Sequence, residues 1–223
     1  MSGPLVKICG LKDAGSAIAA ARAGADFLGF VFFRKSPRFI TAETAEEIIL
    51  DLKQASFDEG FSVPGLVGLF VDAGEKELSE AAPLLTHFQF HGHESPERCR
   101  ELGEEFGVEV IKAIPVSGAQ DIAKAADYQN AADILLFDGK PPPGASRPGG
   151  NAALFDWTVL EDYTGEAPYL VAGGLTRDNV ASSIKAQKGR ASFLGVDVSS
   201  GVETAPGKKD EGLIKSFIAA AKP

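Results

Sequence analysis

The chain has 223 residues, of which 44% are hydrophobic and 24% are charged, and its net charge is −9. A chain of this length buries enough surface to fold without disulfides or a structural metal, and its composition is ordinary for a globular protein. The negative charge argues against non-specific binding to nucleic acid or to an anionic membrane, because phosphate groups repel it. A small phosphorylated ligand stays compatible, since a local group of N–H donors is enough to bind it.

Cysteine usage and the apolar segments indicate where the protein acts. The chain has two cysteines, Cys9 and Cys99, fewer than a secreted domain stabilised by cystines usually carries. The N-terminal residues show no basic segment followed by a long apolar one, so no signal peptide is expected. No apolar run approaches the roughly 20 residues needed to cross a bilayer. We therefore expect a cytoplasmic protein.

Eight short apolar segments recur along the chain, and the residues between them show helical spacing. Ala45, Ile48 and Leu52 share one helical face, for example, and Ile214, Phe217 and Ala221 share another. Each apolar segment has the length of a buried strand. These predicted strands are 5–9, 27–32, 66–71, 87–90, 108–114, 134–137, 169–172 and 193–196.

Apolar strands that alternate with helices indicate a parallel sheet covered on its outer face. Eight such units predict an α/β fold, a closed eight-stranded (βα)₈ TIM barrel that spans residues 1–223 as a single domain. An open doubly wound sheet is the alternative, because the fourth segment is weak. The segment 140–150, rich in proline and glycine, follows a strand directly, and we interpret it as a rim loop or lid.

Two reactive side chains stand at the ends of predicted strands. Cys9 ends the first strand before Gly10, and Asp138 ends the sixth before Gly139. Because the strands of a barrel are parallel, both groups are expected at the same rim, facing one cavity. A thiol and a carboxyl placed there would supply a general base and a general acid, which suits an isomerase. The alternatives are a buried structural cysteine and a turn-capping aspartate.

Small residues follow the last two strands. Gly173 and Gly174 follow the seventh, and Ser199, Ser200 and Gly201 follow the eighth. Glycine lets the backbone approach phosphate oxygens, serine adds a hydroxyl donor, and barrels often bind phosphate at these two loops. The sequence therefore predicts a phosphate site here, although Gly-Gly by itself is also ordinary turn chemistry.

The remaining candidates are cationic or metal-ligating. Arg38 follows the second strand, where its guanidinium could bind a carboxylate in bidentate fashion, although a surface arginine is the simpler interpretation. The aromatic run 30–33 beside it could pack an aromatic ring or belong to the core. His91 ends the fourth strand and could contact a ligand. His87 and His93 are interpreted as solvated or structural, because the three histidines do not form a convincing metal site; no metal is expected.

These motifs resemble the phosphoribosylanthranilate isomerase family over essentially the whole chain. The matching segments are KICG at 7–10, KSPR at 35–38, QFHG at 89–92, LFD at 136–138, FDW at 155–157, AGGL at 172–175, GVDVSSGVE at 195–203 and PGKKD at 206–210. The resemblance implies an Amadori rearrangement of N-(5-phosphoribosyl)anthranilate in tryptophan biosynthesis, without a cofactor.

The resemblance also implies residue roles. Cys9 would be the general base, Asp138 the general acid and Arg38 the ligand of the anthranilate carboxylate. The glycines and serines named above would surround the phosphate, with Asp197 nearby. The chain would act as a monomer or a homodimer.

One departure and two alternatives accompany the resemblance. In the segment Gly149-Gly150-Asn151-Ala152, Ala152 stands where the family usually has glycine. A dual-substrate isomerase that also accepts the histidine-pathway aminoaldose would typically use two aspartates, which Cys9 disfavours. A phosphate-binding barrel without catalysis is the third possibility, and the joint presence of Cys9, Asp138 and Arg38 argues against it.

Overall fold

The computed structural model describes residues 3–140, 144, 149 and 154–223. Eight parallel strands pair in sequence order, and β1 pairs with β8 to close the barrel. The predicted TIM barrel is confirmed, and the open sheet is excluded. The strands are β1 Leu5–Cys9, β2 Phe27–Val31, β3 Gly65–Phe70, β4 His87–Phe90, β5 Glu109–Val116, β6 Ile134–Gly139, β7 Tyr169–Val171 and β8 Phe193–Val198.

Helices cover the outside of the barrel. In the connection from β6 to β7, the described residues hold a 3₁₀ helix, Trp157–Asp162, in place of an α-helix. Within the part of the chain that the structure describes, no helix has the length and apolar character that crossing a bilayer requires. The helices are α1 Ala14–Arg22, α2 Ala42–Glu59, α3 Glu75–Ala81, α4 Pro96–Phe106, α5 Ala119–Ala123, α6 Val180–Ala186 and α7 Glu211–Ala221.

Local sequence explains where several helices begin and end. The side chains of Asp13, Thr41 and Asp210 each accept a hydrogen bond from a backbone N–H in the first turn of the helix that follows. At the other end of α2, Gly60 adopts a left-handed conformation (φ 77°), which closes the helix at little steric cost. These caps fix the lengths of the βα units.

Alternate residues of each strand face opposite sides of the barrel wall. On β6, Leu135 and Phe137 belong to a cluster that packs against the outer elements, whereas Ile134 and Leu136 belong to a separate cluster built only from strand ends and strand interiors. Asp138 follows with the same period of two and therefore faces inward. The same alternation turns Cys9 inward on β1.

A short antiparallel hairpin follows β8 and was not predicted. Its strands are β9 Glu203–Ala205 and β10 Lys208–Lys209, joined by a turn in which Gly207 has φ 79°. Strands of three and two residues are too short to produce a recognisable alternation in the sequence. The hairpin lies between β8 and α7, beside the carboxyl end of the barrel.

Candidate active site

A cavity of about 690 Å³, measured to its open mouth, lies at the carboxyl ends of the strands. Residues from seven of the eight strand ends line it, and they include nine of the ten residues singled out from the sequence. These nine are Cys9, Arg38, His91, Asp138, Gly173, Gly174, Asp197, Ser199 and Ser200.

Cys9 shares its side of the cavity with a buried ion pair. Lys7, fully buried, donates from Nζ to Asp197 Oδ1 at 2.6 Å. Burial raises the pKa of the Cys9 thiol above its ordinary value, and the positive charges of Lys7 and Lys209 act against that shift. Burial also lowers the pKa of Lys7, but Asp197 and Cys9 outweigh it, so the net shift is upward and Lys7 stays protonated. The thiol therefore has permanent positive charge next to it.

Asp138 and His91 form a second pair on the same cavity. His91 Nε2 lies 3.4 Å from Asp138 Oδ2, which is longer than a normal hydrogen bond, and Nε2 has no hydrogen-bond partner among the described residues. Gly149 lies against both side chains, because a Cβ placed on it would come within 2.5 Å of the His91 ring and 2.9 Å of Asp138 Oδ2. A ligand atom near the two groups would find a donor or acceptor in each.

The loops after β7 and β8 bring glycine and serine residues to the wall of the cavity. Gly173 and Gly174 both have positive φ, 84° and 61°, and the Asn179 amide donates to the Gly174 carbonyl at 3.0 Å. The loop after β8 supplies Ser199 and Ser200. Backbone turns of this kind present N–H groups to a phosphate.

Gly201 is the one predicted site residue that does not line the cavity. It lies in a 3₁₀ turn, Ser200–Val202, and a Cβ placed on it would approach the Leu175 carbonyl oxygen to 1.9 Å. Its lack of a side chain lets the β8 loop pack against the β7 loop. Gly201 therefore holds the two loops together, and we find no direct contact with the cavity.

Arg38 is buried, with 4% of its side chain exposed, so it is not a surface arginine. Its Nε and Nη2 donate to the two carboxylate oxygens of Glu203 at 2.7 and 2.8 Å. Beside it, Val31 and Phe33 line the cavity, whereas Phe30 and Phe32 belong to the core. Within the aromatic run, Phe33 therefore borders the cavity, whereas the other two phenylalanines are core residues.

The rim on the β4 side is fixed by a buried ion pair that was not predicted. Lys112 Nζ donates to Glu94 Oε2 at 2.8 Å and to the Gly92 carbonyl at 2.9 Å. Glu94 also accepts from the backbone N–H groups of Gly92 and Asp72. Lys112 and Glu94 thus hold the loop that follows His91 in place.

The other histidines are structural or exposed, as predicted. His87 Nε2 lies 2.9 Å from Glu109 Oε2, and His93, almost fully exposed, pairs with Asp72. The expected lid at 140–150 and the departure at Ala152 lie outside the described residues, apart from Lys140, Gly144 and Gly149. Sequence reasoning also missed Glu203 and Lys209. The signal that could have found them is that both lie in the segments 195–203 and 206–210, on which the family resemblance rests.

Comparisons with known proteins agree over the whole chain. A family model described as N-(5'phosphoribosyl)anthranilate (PRA) isomerase matches residues 6–220. A relative from Rhodospirillum rubrum, named N-(5'-phosphoribosyl)anthranilate isomerase, is 47% identical, and the alignment covers 100% of this chain and 99% of the relative.

Solved structures give the same answer. Phosphoribosyl anthranilate isomerase from Thermotoga maritima matches with a TM-score of 0.81 and 35% identity over 98% of each chain. A phosphoribosyl anthranilate isomerase in complex with reduced 1-(o-carboxyphenylamino)-1-deoxyribulose 5-phosphate matches with a TM-score of 0.78 and 33% identity, again over 98% of each chain. The family model, the relative and the barrel together lead to one conclusion: the chain belongs to the N-(5'-phosphoribosyl)anthranilate isomerase family.

Proposed function

We propose that the chain converts N-(5-phosphoribosyl)anthranilate to 1-(2-carboxyphenylamino)-1-deoxyribulose 5-phosphate by an acid–base Amadori rearrangement in tryptophan biosynthesis, with Cys9 as base and Asp138 as acid. The observation that carries the proposal is the lining of one cavity. The Cys9 thiol, the Asp138 carboxyl and the two glycine- and serine-containing loops all border it. The base and acid therefore face a single sugar whose phosphate is bound at the β7 and β8 loops.

The first step opens the sugar ring. Asp138 donates its proton to the furanose ring oxygen, and the bond from that oxygen to C1 breaks while the nitrogen lone pair forms a C1=N bond. The product is an open-chain iminium with a hydroxyl on C4. His91, 3.4 Å from Asp138 Oδ2, is placed to hydrogen-bond the same region of the substrate.

The second step moves the proton on C2. The Cys9 thiolate removes that proton, and the C–H electron pair forms the C1=C2 bond as the C1=N pair returns to nitrogen. The resulting enaminol gains a proton at C1 and loses one from the C2 hydroxyl, which gives the ketone. The iminium itself acidifies C2, so this chemistry needs only the two residues.

The charges around Cys9 support its role as base. Burial raises the thiol pKa, which makes the thiolate a stronger base once it forms. Lys7 and Lys209 stabilise that thiolate, and the cationic iminium adds a further positive charge when substrate is bound. The thiol is neutral in the empty site, so it first loses its proton to solvent, and the thiolate that remains is the base of the second step.

The remaining subsites bind the two anionic ends of the substrate. Glu203 occupies the Nε and Nη2 side of the Arg38 guanidinium, and the end formed by Nη1 and the second Nη2 hydrogen suits the anthranilate carboxylate. The phosphate binds at Gly173, Gly174, Ser199 and Ser200. A related phosphoribosyl anthranilate isomerase is solved in complex with reduced 1-(o-carboxyphenylamino)-1-deoxyribulose 5-phosphate, a ligand that carries the same two anionic groups.

We also propose that the barrel is one domain over residues 1–223, acting in the cytoplasm as a monomer or a homodimer. Both cysteines are free, which fits a reducing compartment. A related protein from Thermotoga maritima is described as dimeric, with engineered monomers.

A fluorescence assay for loss of the anthranilate adduct tests the proposal. Cys9→Ala should abolish turnover but keep the binding of a reduced product analogue, and Cys99→Ala, which changes the other buried cysteine, should keep both. Unchanged turnover in Cys9→Ala would reject the base assignment. Turnover of the histidine-pathway aminoaldose would favour the dual-substrate isomerase, and no turnover of either substrate by the wild type would favour a non-catalytic barrel.

A further inference from the structure

The β9–β10 hairpin connects two sides of the cavity through a buried charged cluster. Glu203 binds the Arg38 guanidinium through two hydrogen bonds. Lys209 donates to Glu203 Oε1 at 2.8 Å and to the Ser199 carbonyl at 2.9 Å, and it lies 3.4 Å from the Ser199 hydroxyl. One chain of contacts thus runs from the arginine after β2 to the serine loop after β8.

Two glycines allow the hairpin and the loop after β1 to pack closely around Arg38. Gly207, at the hairpin turn, lies against the loop before Arg38, because a Cβ on Gly207 would come within 2.4 Å of the Pro37 carbonyl oxygen. Gly10 lies beneath the arginine stem, where a Cβ would be 2.4 Å from Arg38 Cδ and 3.2 Å from Ser199 Oγ. The hairpin and the β1 loop together clamp Arg38 in one position.

The cluster is almost completely shielded from water. The side chains of Arg38 and Glu203 are each 4% exposed, and that of Lys209 is 1% exposed. Two cations and one anion leave one net positive charge in this cluster, and burial of an uncompensated charge is costly. The carboxylate of a substrate bound at Arg38 would neutralise it.

We propose that Glu203 and Lys209 are positioning residues that hold Arg38 at a fixed place relative to the phosphate loop. Glu203 takes the side of the guanidinium formed by Nε and Nη2, so the end formed by Nη1 and Nη2 faces the substrate carboxylate. Lys209 links Glu203 to Ser199 in the phosphate loop. The hairpin therefore selects ligands that carry a carboxylate and a phosphate at the spacing of the true substrate. This inference rests on the proposed role of Arg38.

A purely structural role makes a different prediction. If the hairpin only stabilised the barrel, its variants would weaken all ligands alike. The decisive quantity is therefore the ratio of two affinities, one for the ketone-reduced product analogue and one for the same molecule with aniline in place of anthranilate. Both ligands carry the phosphate, and only the first carries the ring carboxylate.

The experiment measures this ratio by calorimetric titration of the full chain. Arg38→Met sets the effect of losing the guanidinium, and Glu203→Gln removes the charge that orients it. We expect the affinity ratio to fall about tenfold or more in each, since a charged hydrogen-bonded contact is lost or misplaced. Glu59→Gln breaks the two-contact pair of Arg22 and Glu59, which is exposed and remote from the cavity, and should leave the ratio unchanged.

Lys209→Met is a second test of the positioning role. It removes one cation and leaves the Arg38–Glu203 pair neutral. It should lower the affinity ratio several-fold and should also weaken inhibition by inorganic phosphate, since Ser199 loses its anchor. If Glu203→Gln does not fold, Lys209→Met decides the question.

The affinity ratios of the variants can give three results. A lower ratio in the arginine and hairpin variants supports the positioning role. A lower ratio in Arg38→Met alone overturns it and leaves the proposed carboxylate contact standing. An unchanged ratio in Arg38→Met shows that the carboxylate binds elsewhere, and the inference then fails together with that contact.

Discussion

Lys7 Nζ donates a 2.6 Å hydrogen bond to Asp197 Oδ1 across the seam where the first and last strands close the barrel. The two residues are directly paired in the β1–β8 register, and Cys9 follows Lys7 on the same face. The family resemblance implied that Asp197 lies near the phosphate. The structure gives it a second task, which is to hold the ammonium group that stabilises the Cys9 thiolate.

The first prediction concerns Lys7→Met. The variant loses the charge that opposes the effect of burial on Cys9, so the thiol pKa should rise further and the rising limb of the kcat/KM pH profile should move to higher pH. Thiolate absorbance gives an independent reading of the same ionisation. Lys53→Met, on the exposed side of α2, is the control. An unmoved limb in Lys7→Met would contradict the electrostatic role.

The second prediction concerns the wild-type pH profile. Because burial raises the thiol pKa, the free enzyme holds a protonated Cys9 at neutral pH, and kcat/KM should increase with pH until that pKa is reached. The increase should be about tenfold per pH unit well below the pKa. Cys9→Ser should lose this limb. A wild-type profile that is flat from pH 6 to pH 8 would show that the thiol is already ionised.

Asp138→Asn is the third test. The amide keeps the shape of the carboxyl but has no acidic proton, so kcat should fall by about 10²–10⁴-fold while the reduced product analogue still binds. Asp127→Asn, at an exposed position, should match the wild type. A loss of ligand affinity equal to the loss in kcat would indicate a binding role instead of acid catalysis.

Gly10→Ala tests whether close packing against Gly10 fixes the position of Arg38. The new methyl group would collide with Arg38 Cδ at 2.4 Å, in a residue whose φ is 80°, so KM should rise and stability should fall by about 1–3 kcal/mol. Gly60→Ala separates the two effects, because Gly60 has a similar φ of 77° with nothing within 4 Å. Both variants should lose stability in urea titration. A raised KM in both would show that backbone strain, and not the collision, is responsible.

The last prediction concerns stability. Lys112→Met leaves the Glu94 carboxylate buried without its cation, which should lower the free energy of unfolding by about 3–5 kcal/mol. Adding Glu94→Gln to the same chain should restore part of the loss, because the charge is then removed from both sides. Chemical denaturation measures both values. A double variant less stable than the single one would mean that the amide is a poorer partner for the Gly92 and Asp72 N–H groups than the unpaired carboxylate is.

Local sequence was enough to predict the eight strands to within two residues, and it explains the helix ends that the structure shows. Strand positions follow from short apolar runs, and the helices begin at capping side chains such as Asp13 and end at glycines such as Gly60. The inward direction of Cys9 and Asp138 follows from the period of two along a strand. These features depend on neighbouring residues, so they can be recognised from the sequence alone.

The contacts between residues that are far apart in the sequence could not be predicted from it. Arg38 and Glu203 are 165 positions apart, and Lys7 and Asp197 are 190 apart. Their sequence neighbourhoods show only that charged residues occur near strand ends. Which cation meets which carboxylate depends on the register in which β1 and β8 close the barrel, and on how far the segments that carry Arg38 and Glu203 reach beyond their strands.

The sequence by itself determined the barrel, the strand that carries each reactive group and the family to which the chain belongs, because periodicity and local motifs are short-range properties. Tertiary structure alone decided that Arg38 is held by Glu203, that Lys7 is shared between Asp197 and Cys9, and that Gly201 packs against a loop instead of lining the cavity. Closure of the barrel brings these groups together, and burial makes it costly in free energy to leave any of their charges unpaired.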